Sequence, residues 1–229
     1  MSRILCSLTL FLCLFNQAYS QQPDSLPLPR SYDRFHHSLY IPGSLILAGI
    51  LANGNGAESF KKELAEERNE HFGNFHTRMD DYLQYSPIVI AYGLDALGVR
   101  SKTDLLNRTV ILAKGELLVA GATGLLKTAT HQLRPDNSTF NSFPSGHTAQ
   151  AFAAATFLSE EYKGRYPWMP YAAYGIASTV GALRMANNRH YISDVLAGAG
   201  LGIITMKLAY WTHQYKWGKP KNRKTAILF

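Results

Sequence analysis

The chain has 229 residues, of which 46% are hydrophobic and 17% are charged, a length that suits one domain with a substantial core. Lysine and arginine outnumber aspartate and glutamate by 23 to 16, so the formal net charge is +7 and anionic partners are favoured. The two cysteines, Cys6 and Cys13, both lie near the N-terminus, so the rest of the chain has neither a disulfide framework nor a cysteine zinc site.

The N-terminal segment is typical of an export signal. Arg3 precedes an apolar run from Ile4 to Phe15, and Ala18-Tyr19-Ser20 has the small-x-small form of a signal-peptidase site. We therefore expect residues 1–20 to be a signal peptide, with an uncleaved membrane anchor as the alternative. Both interpretations direct the chain out of the cytoplasm. The next segment, residues 21–40, begins with many Pro, Ser and Gln residues and is predicted to be a linker.

The remainder of the chain has the apolar periodicity of helices and almost no alternation of period two. This pattern predicts an all-α bundle of about six to seven helices in a domain spanning residues 41–215. A basic tail, residues 216–229, follows it and is interpreted either as a solvated end or as a membrane-surface segment. The predicted helices are 41–53, 57–71, 80–98, 103–131, 146–163, 169–186 and 193–215.

Hydropathy does not separate a membrane-embedded bundle from a soluble one. A spanning helix needs about 18 uncharged apolar residues, and no stretch after the N-terminal segment reaches that length. Segment 109–126, for example, is interrupted by Lys114 and Glu116. Small residues such as Gly198 and Gly202 permit close helix packing in either medium. We expect a membrane-embedded or membrane-associated bundle, with a soluble protein as the alternative.

His190 and Asp194 are spaced four residues apart, so both can lie on one face of a helix. A carboxylate in that position can accept the Nδ1 hydrogen of the imidazole and leave Nε2 as a nucleophile. The same pair alone also fits a structural cap at a helix start. Arg184 favours the functional interpretation, because a guanidinium group binds phosphate oxygens in a bidentate manner. Arg189 is the alternative ligand.

A second cluster is Pro144-Ser145-Gly146-His147, at the start of a predicted helix. Free backbone N–H groups at a helix start, together with the Ser145 hydroxyl, form an anion site. Gly146 lets the backbone approach a ligand closely. His147 is then placed where it can give a proton to a departing alkoxide. The alternative is an ordinary helix cap in which the histidine has no special role.

The third cluster consists of Lys127 and Arg134, which lie seven residues apart near the end of one predicted helix. Both charges are therefore close to one helix face, although a solvated helix end could carry the same pair. With Asp194 as the single carboxylate among them, the three clusters predict a phosphate site with a nucleophile and a proton donor.

Together the clusters resemble the motifs of the type-2 phosphatidic acid phosphatase superfamily, which includes lipid phosphatases, bacterial acid phosphatases and vanadium haloperoxidases. The family pattern is Lys, six residues, Arg-Pro; then Pro-Ser-Gly-His; then Ser-Arg, five residues, His, three residues, Asp. The chain departs from it at Leu183, where the family usually has serine. The matching residues are Lys127, Arg134, Pro135, Pro144, Ser145, Gly146, His147, Arg184, His190 and Asp194.

The resemblance implies a phosphomonoesterase that needs neither a metal nor a cofactor. His190 would attack phosphorus and form a phosphohistidine, with Asp194 orienting its ring. His147 would protonate the leaving oxygen and then activate water. The phosphate oxygens would be bound by Lys127, Arg134, Ser145, Gly146 and Arg184.

The expected substrate is a phosphorylated lipid at the periplasmic face of the bacterial inner membrane. Phosphatidylglycerol phosphate, undecaprenyl pyrophosphate and the phosphates of lipid A are the candidates. The alternatives are a soluble periplasmic acid phosphatase acting on small phosphoesters, a vanadate-dependent haloperoxidase and a catalytically inactive envelope protein. The membrane is the expected partner, and the sequence predicts no nucleic-acid partner and no obligate protein partner.

Overall fold

The computed structural model describes residues 37–54, 56 and 59–213, which belong to a compact unit beginning at His37. The predicted signal peptide, most of the predicted linker and the basic tail lie outside these residues. Within the described residues the chain forms eight helices and no strands, which confirms the all-α prediction.

The helices follow the predicted segments closely, with one division that was not predicted. The predicted helix 80–98 is two helices, because Pro87 lies in the first turn of the second one. Its ring and its missing N–H prevent a continuous helix through the preceding turn. In chain order the helices are α1 (Tyr40–Leu51), α2 (Phe60–Phe72), α3 (Met79–Leu83), α4 (Ser86–Ala96), α5 (Leu105–Thr130), α6 (Gly146–Tyr162), α7 (Met169–Ala186) and α8 (Ile192–Trp211).

Helix α8 is the centre of the bundle and packs against α6, α1 and α5, while α6 also packs against α7 and α4. The starts of α6 and α8 lie together, since the Ser145 amide donates to the Asp194 carbonyl at 3.0 Å. Lys127, near the end of α5, lies against Gly146. This end of the bundle, which α3 and the last turn of α7 also reach, is called the site end below.

Glycines allow α8 to approach its neighbours at backbone distance. A Cβ atom on Gly202 would lie 2.1 Å from the carbonyl oxygen of Ala149 in α6, and one on Gly200 would lie 2.4 Å from the carbonyl oxygen of Pro42 in α1. Because the opposing atoms are backbone atoms, no side-chain rotation can relieve these contacts. The close approach of α6 and α8 is therefore a requirement of the fold.

We expect Gly202→Ala to destabilise the protein by about 1–3 kcal/mol or more, since the added methyl group must push α6 and α8 apart. The control is Gly175→Ala in α7, where a Cβ atom meets nothing within 4 Å and alanine should be neutral or stabilising by up to about 1 kcal/mol. Thermal unfolding of the purified variants, followed by tryptophan fluorescence, measures both effects. Equal unfolding temperatures for the two variants would show that the packing at Gly202 is not a constraint.

Two of the described helices, α5 and α8, are long and apolar enough to cross a membrane. The most apolar part of α8 is 67% buried in the bundle, whereas that of α5 is only 22% buried. The charges that interrupt α5 in the sequence have polar partners, because Lys114 donates to Thr212 at 2.9 Å and Gln150 donates to Glu116 at 2.8 Å. The exposed large apolar side chains of α5 are Leu105, Leu106, Leu117, Leu118, Leu125 and Leu126.

A polar network joins the helices at the end opposite the site end. Arg108 of α5 is fully buried, pairs with Asp95 of α4 at 3.0 Å and lies 4.7 Å from the ring centre of Tyr92. Glu161 of α6 accepts hydrogen bonds from the Thr103 amide at 2.8 Å and from a tyrosine hydroxyl of α8 at 2.7 Å. These bonds fix the ends of four helices and so help to hold the antiparallel arrangement that places the motif residues together.

Candidate active site

Asp194 connects the second and third motif clusters. It lies in the first turn of α8 and is fully buried. Its Oδ2 atom accepts a hydrogen bond from the Ser142 hydroxyl at 2.5 Å, and its carbonyl accepts one from the Ser145 amide at 3.0 Å. The loop that leads into α6 is therefore held against the start of α8.

His190 immediately precedes α8 and is 3% exposed. Its Nδ1 atom is 3.5 Å from Asp194 Oδ2, slightly longer than a hydrogen bond, and the same oxygen accepts the Tyr191 amide at 2.9 Å. Asp194 thus caps α8 and also faces the imidazole. The interpretation of the His190–Asp194 pair as a structural cap is therefore compatible with its interpretation as a nucleophile and its orienting carboxylate. Burial lowers the pKa of His190 to about 4; Asp194 opposes this shift, and Arg184 and Lys127 add to it. The imidazole is therefore neutral near pH 7.

Arg184 lies in the last turn of α7 and is buried. Its Nη1 atom donates to Asp80 Oδ2 at 2.6 Å, and Asn187 donates to Asp80 Oδ1 at 3.1 Å. Asn187 also exchanges two hydrogen bonds with the backbone of Thr77, each 2.9 Å long. Helix α3 is thereby tied to the end of α7, and the guanidinium group of Arg184 is held in one orientation.

Arg189, the alternative ligand, has a different environment. It pairs with Asp136 at 3.0 Å, and its side chain is 36% exposed, whereas that of Arg184 is 8% exposed. Arg184 is therefore the more buried of the two arginines.

The site end contains buried donors that lack acceptors. Among the residues that the structure describes, the buried Nε atoms of Arg134 and Arg184 have no hydrogen-bond partner. Burial and then the Arg184 guanidinium lower the pKa of Arg134, so the two cations repel one another. Lys127 donates from its Nζ atom to the Asn141 carbonyl and lies beside Gly146. Buried donors are normally satisfied, and an anion is the ligand that would satisfy these.

The start of α6 adds backbone donors to the same region. Ser145 is the N-cap, and its Oγ atom accepts hydrogen bonds from the Thr148 amide at 3.4 Å and the Thr148 hydroxyl at 2.9 Å. The amides of Gly146 and His147 lie in the first turn, where the helix itself supplies no acceptor. This geometry suits a phosphate oxygen.

His147 has a carboxylate partner that the sequence did not reveal. Its Nε2 atom is 2.9 Å from Asp81 Oδ1, and both side chains are partly exposed. Burial and the Arg184 guanidinium lower the pKa of His147, and Asp81 opposes them. The expectation of a single carboxylate is therefore corrected, because Asp80 and Asp81 of α3 join Asp194 at the site end.

Asp80, Asp81 and His147 also have ligand atoms within 4.8 Å of one another, as a metal site requires. However, both oxygens of Asp80 already accept hydrogen bonds, one of them from the positively charged Arg184. A metal ion bound at Asp80 would be repelled by that guanidinium, so the arrangement suits a side-chain cation better than a metal.

Sequence reasoning also missed Ser142 and Asn187. Ser142 lies two residues before the Pro-Ser-Gly-His motif, and its position in that loop was an available signal. Asn187 lies in the turn between α7 and α8, but no spacing rule connects it with α3. Asp80 and Asp81 lie far from the motifs along the chain, and only the fold brings them to the site end.

Comparison with known proteins agrees with the motif assignment. The model of the PAP2 superfamily matches residues 108–218, a segment that includes all three clusters but not α3. A lipid A 1-phosphatase from Porphyromonas gingivalis is 40% identical over 140 residues, which are 61% of this chain. The aligned region is 32% of that protein, so this chain spans about a third of the length of its relative.

Two solved structures also match. LpxE of Aquifex aeolicus is 25% identical, with a TM-score of 0.48 over 64% of this chain and 93% of that one. A PAP2-type phosphatidylglycerolphosphate phosphatase of Bacillus subtilis is 22% identical, with a TM-score of 0.46 over 75% of this chain and 95% of that one. Both TM-scores are below 0.5, so the resemblance rests on the sequence matches. The resemblance predicted from the motifs is confirmed: residues 108–218 of this chain match the model of the PAP2 superfamily.

Proposed function

We propose that this protein is a phosphatase that hydrolyses a phosphate monoester on a membrane lipid, by way of a phosphohistidine at His190. The observation that carries the proposal is the pair of guanidinium groups of Arg134 and Arg184, whose buried Nε atoms lack acceptors in the described part of the chain. Arg184 also acts electrostatically on His190, a neutral and buried imidazole, which is the form that can act as a nucleophile.

In the first step, Nε2 of His190 attacks phosphorus as the bond to the leaving oxygen breaks. His147 gives its proton to that oxygen, so the lipid leaves as an alcohol. Asp194 faces Nδ1 and stabilises the positive charge that develops on the ring of His190. The site's cations and the amide of Gly146 stabilise the equatorial oxygens.

In the second step, His147, now neutral, accepts a proton from water. The water oxygen, which becomes more negative as it loses this proton, attacks the phosphorus of the phosphohistidine, and the P–N bond breaks. Inorganic phosphate leaves, and both histidines return to their starting protonation states. The cations needed for both steps are side chains: Lys127, Arg134 and Arg184.

Two observations support a lipid substrate. The relative that is 40% identical over 140 residues is a lipid A 1-phosphatase, so a lipid A phosphate is the first of the candidate substrates. Helix α5 exposes leucines along its length and carries Lys127 in its last turn, beside the site, so a lipid lying along α5 would present its phosphate there. With an N-terminal export signal, the site end would face the periplasm.

The expected result of a substrate panel is release of phosphate from lipid A and other lipid phosphates, undiminished by EDTA. The purified full chain would be assayed in mixed micelles against lipid A, phosphatidylglycerol phosphate, undecaprenyl pyrophosphate and small phosphoesters. Activity that disappears with EDTA and returns with magnesium would contradict the metal-free mechanism. Preference for small phosphoesters, with the protein in a soluble osmotic-shock fraction, would favour the acid phosphatase alternative. Bromide oxidation by the vanadate-loaded protein, without phosphate release, would favour the haloperoxidase.

A further inference from the structure

We propose that Asp81 is a positioning residue for the proton transfers of His147, because its carboxylate holds the Nε2–H group and leaves Nδ1 to exchange the proton with the leaving group and with water. The inference rests on the proposed function and assigns a role outside the segment that matches the family model, residues 108–218.

The geometry of the pair is the first support. Asp81 Oδ1 is 2.9 Å from His147 Nε2, within hydrogen-bond distance. A carboxylate accepts, so the nitrogen it contacts carries the hydrogen, and the other ring nitrogen is the one that can gain or lose a proton. His147 lies in the first turn of α6, and the hydrogen bond to Asp81 constrains the orientation of its ring.

Helix α3 is the second support, because it delivers two adjacent carboxylates to two different cationic partners. Asp80 holds Arg184 at 2.6 Å while Asp81 holds His147, and the hydrogen bonds between Asn187 and Thr77 tie α3 to the end of α7. This five-residue helix thereby places the phosphate-binding guanidinium and the proton donor relative to each other.

The third support is the electrostatic setting of His147. Arg184 of α7 disfavours the imidazolium form, Lys127 of α5 lies against the preceding residue, and the positive end of the α6 dipole acts in the same direction. Asp80 and Asp81 of α3 oppose these effects. A general acid must hold its proton near the working pH, so loss of the charge on Asp81 should lower the pKa of His147.

The consequence is a change in kinetics with little change in stability. The Asp81 side chain is 49% exposed, and an exposed ion pair contributes little to folding. Asp81→Asn should therefore fold normally. In this variant His147 loses its proton at a lower pH than in the wild type. The alkaline limb of the pH–rate profile therefore moves to lower pH.

The test compares two leaving groups in the same micelles. An alkyl lipid phosphate needs protonation of its leaving alkoxide, whereas nitrophenyl phosphate releases a phenolate that does not. For Asp81→Asn we expect kcat/KM to fall about 10- to 100-fold on the alkyl phosphate and less than about 3-fold on the nitrophenyl phosphate. Asp81→Glu should recover part of the loss. Glu66→Gln, which removes one exposed negative charge from α2, is the matched control and should leave both values unchanged.

The outcomes separate the inference from the proposed function. If Asp81→Asn equals Glu66→Gln on both substrates, or loses both activities equally, Asp81 has no role in proton transfer. If the wild type hydrolyses neither substrate, the proposed function fails instead. Nitrogen-15 NMR of the histidine rings then still decides the inference, which expects the Nε2–H tautomer of His147 in the wild type and a lower pKa of His147 in Asp81→Asn.

Discussion

His190→Ala is expected to eliminate lipid phosphate release, lowering kcat by about 10⁴-fold or more, since loss of a nucleophile removes the covalent pathway. The substitution should be tolerated by the fold better than most buried changes. His190 lies in the turn before α8, and its Nδ1 atom is 3.5 Å from its nearest acidic partner, Asp194. The loss of activity would then be a loss of chemistry and not of structure.

The intermediate itself can be trapped. Brief incubation of the wild type with a ³²P-labelled lipid phosphate, followed by quenching in alkali, should leave label on the protein that is released by mild acid. The label should be absent from His190→Ala and retained in the control His71→Ala, whose ring lies exposed on α2 and donates from Nδ1 to the Glu67 carbonyl of its own helix. Label of equal intensity in His190→Ala would place the nucleophile elsewhere.

The motif residues could be predicted from the sequence because their constraints are local. Pro144, Ser145 and Gly146 specify a helix start, and His190 and Asp194 are spaced for one helix turn. The sequence patterns that specify α5 to α8 also specify where these helices end. An antiparallel bundle then brings the end of α5 and the starts of α6 and α8 together.

The carboxylates of α3 could not be predicted because nothing local connects them with their partners. Asp80 and Asp81 occupy a five-residue helix, and their roles depend on contacts with α7 and α6. The division of the predicted helix 80–98 had a visible signal, since Pro87 is incompatible with a continuous helix. The polar partners of Lys114 and Glu116 could not be predicted either, because Thr212 and Gln150 belong to distant parts of the chain.

The second large effect is expected at the ion pair of Arg184 and Asp80. Substitutions there should change stability and activity in ways that can be measured separately. Arg184→Met should lower kcat by roughly 10²–10³-fold, because a donor to the transferring phosphoryl group is lost. It should also destabilise the protein by about 3–5 kcal/mol, since Asp80 is 1% exposed and would keep a buried charge without its cation. For a chain of this size, that corresponds to a fall of about 10 °C in Tm.

Adding Asp80→Asn to Arg184→Met should restore most of the Tm but none of the activity. An asparagine at this position carries no charge, and its side-chain oxygen can still accept the hydrogen bond that Asn187 donates at 3.1 Å. The four proteins of this cycle, measured by thermal unfolding and by phosphate release, give the coupling energy of the pair and its catalytic role separately. A double variant as unstable as Arg184→Met would show that the buried charge is not the cause of the instability.

Arg189→Met is the control for this cycle, because Arg189 has the same side chain and pairs with Asp136 in a half-exposed setting. Such a pair contributes about 0–1 kcal/mol, so Tm and kcat should change little. If Arg189→Met loses activity while Arg184→Met keeps it, the phosphate ligand is Arg189. The Asp80–Arg184 pair would then serve only to join α3 to α7.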